Sequence, residues 1–420
     1  MKILLLHDYG TATGGAELQI LALRQNLRDR GHDARLFSSR SSLVPGSPVL
    51  SDYTCFGTNS FFLQFLSNTV NPSAYLSLRR VLKEFRPDVV HVRMFLWQLS
   101  PLILPLLKDV PCLYQTAVYK AICPVGTKLL PDGSLCNHPA GRACLRHGCL
   151  MVPQTWPVFM LQQKLWQRWR NSFNLVVALS YAMKSILEAE GIAPIEVVHN
   201  GVPSRPMRPS LGDPPTVAYA GRLAPEKGVG VLLRAFARVK TLVAKARLVI
   251  AGQGLEELNL RTLATELGVT DSVVWLGHLP RQEMEQHFDS AWVQVVPSLW
   301  AEPFGNVTTE AMMRGTAVIA SNVGAQPEIV SDGTTGFLVP PNDVDALTNA
   351  LQCLLFNPTI AEQMGRAGRE RALTHFSEDR CTERFLEIYQ QICEKDYTTN
   401  HANHKQTFSR TAQLLGDTAS

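Results

Sequence analysis

Two stretches of this chain repeat the same alternation of apolar runs and helix-periodic segments, and a proline-rich segment separates them. KILLLH (2–7) reads as a buried strand and DYGTATGG (8–15) as a loop. AELQILALRQNLRDRG (16–31) carries apolar residues at helical spacing up to Gly31, and DARLFSS (33–39) reads as the next strand. Further strand candidates are 88–92, 112–116, 175–179 and 195–201. After VPSRPMRPSLGDPP (202–215) the pattern restarts, with strands expected at 216–223, 246–254, 273–279, 293–298, 316–321 and 336–341 and helices at 228–243 and 256–267. Strand–helix–strand order of this kind gives right-handed βαβ units and a parallel sheet. The expectation is an α/β protein of two Rossmann-like, doubly wound parallel-sheet domains facing each other across a cleft.

The expected boundaries are 1–201 for the first domain, 202–215 for a linker and 216–376 for the second domain. A terminal helix at 377–395 is expected to pack back toward the N-terminal domain. Ser377, with Asp379 and Arg380 behind it, has the look of a cap, and Phe385, Ile388, Tyr389 and Ile392 form an apolar stripe. The tail at 396–420 is polar and aperiodic, and is expected to be disordered. A chain of 420 residues is long enough for two cores.

Charge excludes one class of function. The formal net charge of +4 is mild and not gathered into dense basic clusters, so nucleic acid is not an expected partner. MKILLLHDYG has too short an apolar run before His7 for a signal peptide, and FLWQLSPLILPLL (95–107) is too short to span a bilayer. The expected location is the cytoplasm, with peripheral contact at the inner membrane surface as an open variant.

Three constellations carry chemistry. In EPFGNVTTE (302–310) Asn306 can cap a helix, which sets Glu310 in its first turn and Glu302 just outside its N-terminus. Exposed amides there attract an anion, and acceptor-only carboxylates suit sugar or ribose hydroxyls. The bland alternative is a dipole-complementing Glu310 and a surface Glu302. In AGRLAPEKGV (220–229) a strand end is followed by Arg222 and Lys227, which together can clamp a diphosphate; a solvated loop is the alternative. In GTATGGAE (10–17) the pair Gly14 and Gly15 lets backbone approach a ligand closely, and it is not the G-x-G-x-x-G of nicotinamide-cofactor sites.

GGAE, NGV (200–202), AGRLAPEKG, EPFGNVTTE and GAQPEIVSDGTTGFLVPPND (324–343), in that order, resemble the retaining glycosyltransferases of the GT-B fold, family 4. The resemblance covers most of residues 1–395 and is strongest in 216–345. It implies a UDP- or GDP-sugar donor held by the C-terminal domain, with Glu310 on the ribose hydroxyls and Glu302 on the donor sugar. Arg222 and Lys227 would neutralise the diphosphate, so no metal is required for catalysis. The amides of Phe304, Gly305 and Asn306 would face the sugar and those of Gly14 and Gly15 the phosphates. Asn200 and Val307 complete the implied donor set. The acceptor, a carbohydrate or a lipid-linked sugar, would enter from the N-terminal domain, in polysaccharide or glycolipid synthesis. Front-face attack with retention is implied by the family alone.

One departure stands out. Family members carry a His-Asp pair where this chain has Ala117 and Val118, just before Tyr119, Lys120 and Cys123-Pro124. Neither Ala nor Val can bond a sugar hydroxyl. His91 and Tyr119 are the remaining candidates for sugar or acceptor contact; for His91, a satisfied histidine at a strand end is the equal alternative. A non-catalytic nucleotide-sugar-binding paralogue acting as a partner subunit is therefore a rival reading, and a sugar-nucleotide epimerase a weaker third.

Between residues 123 and 149, Cys123, Cys136, Cys144 and Cys149 alternate with His138 and His147. A structural zinc and unpaired thiols are both open, since the spacing is not C-x2–4-C. WPVFMLQQKLWQRWR (156–170) could lie on an anionic membrane, or pack as a helix with a basic outer face; the pattern favours packing.

Overall fold

The computed structural model of the chain describes residues 1–44, 46–131, 133–150 and 152–394, with side chains at all of these except 61 and 62. The tail expected at 396–420 lies outside the described residues, as does residue 395 of the terminal helix.

Among the described residues, seven strands form the first sheet: β1 (Lys2–Tyr9), β2 (Asp33–Ser39), β3 (Tyr53–Cys55), β4 (Val89–Val92), β5 (Cys112–Gln115), β6 (Leu175–Ala178) and β7 (Ile195–Val197). Six form the second: β8 (Thr216–Ala220), β9 (Arg247–Ala251), β10 (Val273–Gly277), β11 (Ala291–Val296), β12 (Ala317–Ser321) and β13 (Gly336–Val339). All neighbours are parallel, in the orders β3-β2-β1-β4-β5-β6-β7 and β10-β9-β8-β11-β12-β13. Helices cover both faces of each sheet, so every residue of β11 and β12 is buried and their sequences are mostly apolar without alternation. The two doubly wound parallel sheets expected from the alternation are present. The strand order reverses between β1 and β4, and again between β8 and β11. Those two crevices, outside the carboxyl ends of the strands, are where such sheets bind ligands.

The region 40–87 holds elements that the pattern did not reveal: β3 and the helices Phe61–Thr69 and Pro72–Phe85. Three residues are too few for β3 to show a period. Phe61–Thr69 (FFLQFLSNT) has no charged face to set against an apolar one.

The chain passes between the sheets twice. The linker 202–215 contains neither helix nor strand, and buried Arg208 fastens it to the second domain through Glu362 at 3.2 Å and its own amide on the Arg314 carbonyl at 2.9 Å. Further on, the chain returns beside the start of that linker. The Val202 amide donates to the Phe376 carbonyl at 2.7 Å and the Glu378 amide to the Val202 carbonyl at 3.2 Å. Gly201 permits the approach, because a Cβ there would lie 2.5 Å from Glu378 Cα. The helix that follows, 378–394, starts with Ser377 Oγ accepting the Arg380 amide. Its buried Phe385, Ile388, Tyr389 and Ile392 join Ile3, Leu5, Val89 and the helix Gly15–Asp29 in one core on the N-terminal sheet.

His91 lies at the centre of that core. Its Nδ1 faces the Tyr389 hydroxyl at 2.6 Å and its Nε2 faces Gln115 Oε1 at 3.1 Å. Burial and the charge of Arg93 push its pKa down to about 3, and do the same to His7. Both rings are neutral in the folded chain and titrate near 6.5 when it unfolds, so the stability they confer is complete above pH 6.5 and is lost as pH falls toward 3. Asp8 opposes them. It accepts the amides of Trp97, Gln98 and Leu99, yet burial raises it to about 6, so it adds stability as pH falls from 6 to 3.8. The two histidines therefore pull the melting temperature down as pH falls from 6.5 toward 4. In His91→Gln the fall should be shallower, as followed by circular dichroism melts across that range.

Candidate functional site

A cavity of about 430 Å3 opens between the two domains at both switch points. The loop after β1 brings Gly14 and Gly15 to it, and the loop after β8 brings Gly221 and Arg222. Gln253, His278 and Arg281 line it from beyond β9 and β10, and Val307 and Glu310 from the helix Asn306–Met313. The structure therefore gathers Gly14, Gly15, Arg222, Val307 and Glu310 around one space, although more than two hundred residues separate the first from the third. Backbone NH groups at Gly14 and Gly15 stand at the start of the helix Gly15–Asp29, where they suit an anion.

Glu310 does not sit in the first turn of its helix. Gly305 is the N-cap and Asn306 the first helical residue, so Glu310 falls one turn later. Nor does Asn306 cap that helix with its side chain: its Oδ1 instead accepts from Asn200 Nδ2 at 3.0 Å, across the domain boundary. The Glu310 carboxylate pairs with Arg281 at 2.6 Å, and burial raises its pKa. Arg281 had no sequence signal, since it lies in a separate helix, Arg281–His287.

Glu302 and Lys227 form a second centre next to this one. Lys227 Nζ donates to Glu302 Oε1 at 2.8 Å and stands 5.5 Å from the Trp300 ring centroid. Ser298 Oγ donates to the same carboxylate. The loop Pro225–Lys227 reaches this position because Gly228 adopts φ +66, and a Cβ there would meet the Pro297 carbonyl oxygen at 2.0 Å. The clamp expected of Arg222 and Lys227 together is not what the side chains form. Arg222 lines the cavity and pairs with Glu226 at 2.9 Å, whereas Lys227 is turned onto Glu302.

Two further expectations, for His91 and Tyr119, are corrected. His91 is fully buried with both ring nitrogens engaged, so it faces no ligand. Tyr119 is buried, and its hydroxyl donates to the Ala301 carbonyl at 3.1 Å; it joins the domains beside Glu302 and is closed off from the cavity. Phe304 is buried against His199 and Phe376, so its side chain belongs to the core and its backbone alone remains near the helix start. In the cysteine region the four thiols are unpaired, and among the described residues no three His, Cys, Asp or Glu side chains stand close enough to hold a metal ion. Cys123 is buried under the loop, and the Cys136 thiol is directed to the His138 carbonyl.

A buried polar link runs from the end of β4 to the helix that carries Glu310. Buried Arg93, at the end of β4, donates to Gln115 Oε1 at 2.8 Å and to Asn200 Oδ1 at 3.2 Å, and Asn200 passes the link to Asn306. Burial lowers the Arg93 pKa to about 10, which leaves it cationic at neutral pH. Buried Lys120 lies between the rings of Trp97 and Phe159, 4.2 and 4.3 Å from their centroids, and burial pushes its pKa down to about 7. On the outer side of the cleft Glu328 accepts the amides of Tyr181 and Ala182, at the start of a helix of the other domain, at 2.9 and 2.8 Å. It also accepts from His199 at 3.1 Å, and these donors outweigh its burial and lower its pKa.

Two family models match the chain: Glycosyl transferases group 1 over residues 205–371 and Glycosyltransferase Family 4 over residues 13–116. A GDP-mannose-dependent alpha-(1-6)-phosphatidylinositol monomannoside mannosyltransferase of Mycolicibacterium smegmatis is 38% identical over 40% of this chain and 46% of its own length. A glycogen synthase of Mycobacterium tuberculosis is 34% identical over 49% of this chain and 51% of its own. A D-inositol 3-phosphate glycosyltransferase of Mycobacterium avium is 38% identical over 49% and 51%. The chain spans about half the length of these curated relatives. Among solved structures, sucrose-phosphate synthase from Thermosynechococcus elongatus superposes with a TM-score of 0.71 at 22% identity, over 93% of this chain and 99% of that one. HepE of Anabaena in complex with UDP gives 0.66 at 21% identity, over 93% and 100%. These likenesses establish the two-domain GT-B fold.

Removing Glu328 leaves two helix-start amides and His199 without their shared acceptor. Glu328→Ala should cost about 1–3 kcal/mol of stability and increase the radius of gyration as the domains part. Denaturant titration and small-angle scattering would measure the two effects.

Proposed function

Because the chain belongs to glycosyltransferase family 4, the group 1 glycosyl transferases, we propose that it moves a hexosyl group from a UDP- or GDP-sugar to a hydroxyl acceptor, with retention of anomeric configuration. The observation that carries this reading is the interdomain cavity of about 430 Å3 in which Gly14, Gly15, Arg222 and Glu310 meet. A helix N-terminus and a guanidinium at one side suit a diphosphate. A carboxylate at the other side suits ribose hydroxyls. Relatives named for phosphatidylinositol mannoside and glycogen synthesis support polysaccharide or glycolipid assembly as the setting.

The charges are already paired within the protein: Arg222 with Glu226, Arg281 with Glu310 and Lys227 with Glu302. A bound nucleotide sugar exchanges these partners. The diphosphate competes for Arg222 and Lys227, and this frees Glu302 to accept a sugar hydroxyl beside it. As the glycosidic bond breaks, negative charge grows on the leaving diphosphate, so the same cations stabilise the transition state more than the ground state. They supply the positive charge that a metal would otherwise bring, and no catalytic metal is part of the scheme. The acceptor hydroxyl attacks from the face that the diphosphate leaves and passes its proton to the departing phosphate oxygen.

Arg222→Ala and Glu310→Ala should each weaken UDP or GDP binding, since losing a hydrogen bond to a charged group costs roughly 1.5–3 kcal/mol, on the order of 10- to 150-fold. Lys227→Met should weaken that binding as well and lose turnover. Calorimetry with both nucleotides reads the first effect, and unchanged affinity in both variants would remove the site assignment. Nucleotide release from a panel of UDP- and GDP-sugars reads the second. Release by the wild type shows that Ala117 and Val118 do not abolish chemistry. Binding without release, with release restored in Ala117→His/Val118→Asp, would favour the non-catalytic partner subunit instead.

We also propose that the N-terminal domain touches an anionic membrane surface. The helices Phe61–Thr69 and Trp156–Trp169 pack together, with Phe65 and Phe159 ring centroids 5.1 Å apart. Trp166 is buried, whereas Leu63, Leu66 and Leu161 are exposed near Lys164 and Arg168, and neither helix contains an acidic residue. Among the described residues no helix is long and apolar enough to cross a membrane. The full chain should co-sediment with vesicles containing phosphatidylglycerol and not with phosphatidylcholine alone, and Leu63→Glu/Leu66→Glu should abolish the difference.

A further inference from the structure

Arg93 can only donate hydrogen bonds, and its place in the buried link fixes the polarity of each amide after it. Its Nη2 donates to Asn200 Oδ1 at 3.2 Å, so the Nδ2 of Asn200 faces the other way. That Nδ2 donates to Asn306 Oδ1 at 3.0 Å, which in turn directs the Nδ2 of Asn306 away from Asn200. It stands beside Gly15, where a Cβ would lie 3.5 Å from Asn306 Nδ2. Gly15 lines the interdomain cavity and begins the helix Gly15–Asp29, so a side-chain donor of the C-terminal domain meets a helix N-terminus of the other domain. The neighbouring glycine has a different companion. The first atom that a Cβ at Gly14 would meet is Glu17 Oε2. Gly14 therefore has a carboxylate against its Cα and Gly15 an amide NH2 group, and negative charge is better accommodated at Gly15.

From this geometry we infer that the side-chain amide of Asn306 donates to the diphosphate of the bound nucleotide sugar, and that Arg93 is the positioning residue that aims it. The inference rests on the transferase reading of the cavity. It gives the Asn306 side chain a task separate from that of the same residue's backbone amide. Arg93 touches no ligand in this scheme. It acts through two amide groups whose oxygen and nitrogen ends would otherwise be interchangeable. A side chain at position 93 that both donates and accepts would let the relay reverse, and a reversed relay presents Asn306 Oδ1, an acceptor, to the phosphate.

Asn306→Asp separates the two tasks of that side chain. An Asp oxygen still accepts from Asn200 Nδ2, while the donor toward Gly15 becomes an acceptor. The probes are UDP and GDP, followed by calorimetry, and uridine and guanosine, which lack phosphate, followed by saturation-transfer difference spectroscopy. In Asn306→Asp the nucleotide should lose about tenfold or more of its affinity, at least ~1.4 kcal/mol, while its nucleoside stays within about twofold. Arg93→Lys, still a donor only, should keep nucleotide affinity within about threefold of the wild type, and Arg93→Gln should lose more. Circular dichroism melts check that the Arg93 variants fold, and Asn306→Asp carries the test alone if they do not. A readout without ligand is the nuclear Overhauser contact between the Asn306 side-chain NH2 and the Gly15 α-protons, expected in the wild type and in Arg93→Lys and weakened in Arg93→Gln. Unchanged nucleotide affinity in Asn306→Asp, equal losses for nucleotide and nucleoside, or absence of the contact in the wild type would each overturn the assignment. Failure of the wild type to bind either nucleotide, with the contact intact, would instead count against the transferase reading and remove the phosphate that the relay serves.

Discussion

The double passage of the chain at Gly201–Val202 and Phe376–Glu378 is the constraint on which the rest of the molecule depends. Each parallel sheet places its ligand crevice beyond the carboxyl ends of its strands. Two such crevices make one site only if the sheets are held face to face. The paired backbone bonds at Val202 do this at one point, and the absence of a side chain at Gly201 allows them. The returning chain then lays Phe385, Ile388, Tyr389 and Ile392 onto the N-terminal sheet, so the second domain is anchored by a helix that belongs to the core of the first. Glu328 with the amides of Tyr181 and Ala182, Asn200 with Asn306, and Tyr119 with the Ala301 carbonyl supply further ties along the cleft.

That frame explains why the site is built of pre-paired charges. Lys227, Arg222 and Arg281 each carry an internal carboxylate partner at 2.6–2.9 Å. Lys227 and Arg281 are partly buried, where a cation without a partner would be costly, whereas Arg222 is exposed and its pair is worth little. Glu310, whose pKa burial already raises, needs Arg281 beside it. Exchange of partners is the natural response to a diphosphate, because a charge-assisted bond is replaced by another of the same kind. The buried link Arg93–Asn200–Asn306 is part of the same economy: a cation enclosed at the end of β4 is held by two amide side chains and, through them, orients the first residue of the helix that carries Glu310.

The sequence was a good guide wherever one physical preference dominated. Mostly apolar runs marked β1, β8, β11 and β12 because a sheet covered on both faces has no polar side to alternate with. Proline density coincides with a stretch, 203–215, that is neither helix nor strand. It was a poor guide for 40–87, where β3 is too short to carry a period and Phe61–Thr69 lacks a charged face. It also misplaced side chains. His91 stands at a strand end, as ligand-contacting residues do, yet Tyr389, almost three hundred residues later, covers it. Lys227 stands five residues after Arg222, yet the turn at Gly228 carries it to Glu302 instead of to the cavity that Arg222 lines.

By itself, then, the sequence determined the architecture of two doubly wound domains and the residue types available for a diphosphate and for hydroxyls, since period and composition are local properties of the chain. Tertiary structure alone decided which of those residues share a space. Arg281 beside Glu310 and Arg93 behind Asn200 are meetings across 29 and 107 residues within one domain, and Gly14 and Gly15 share a cavity with Arg222 only because one sheet is turned toward the other. No local preference encodes such a distance, because each partner would have the same propensity wherever the other lay.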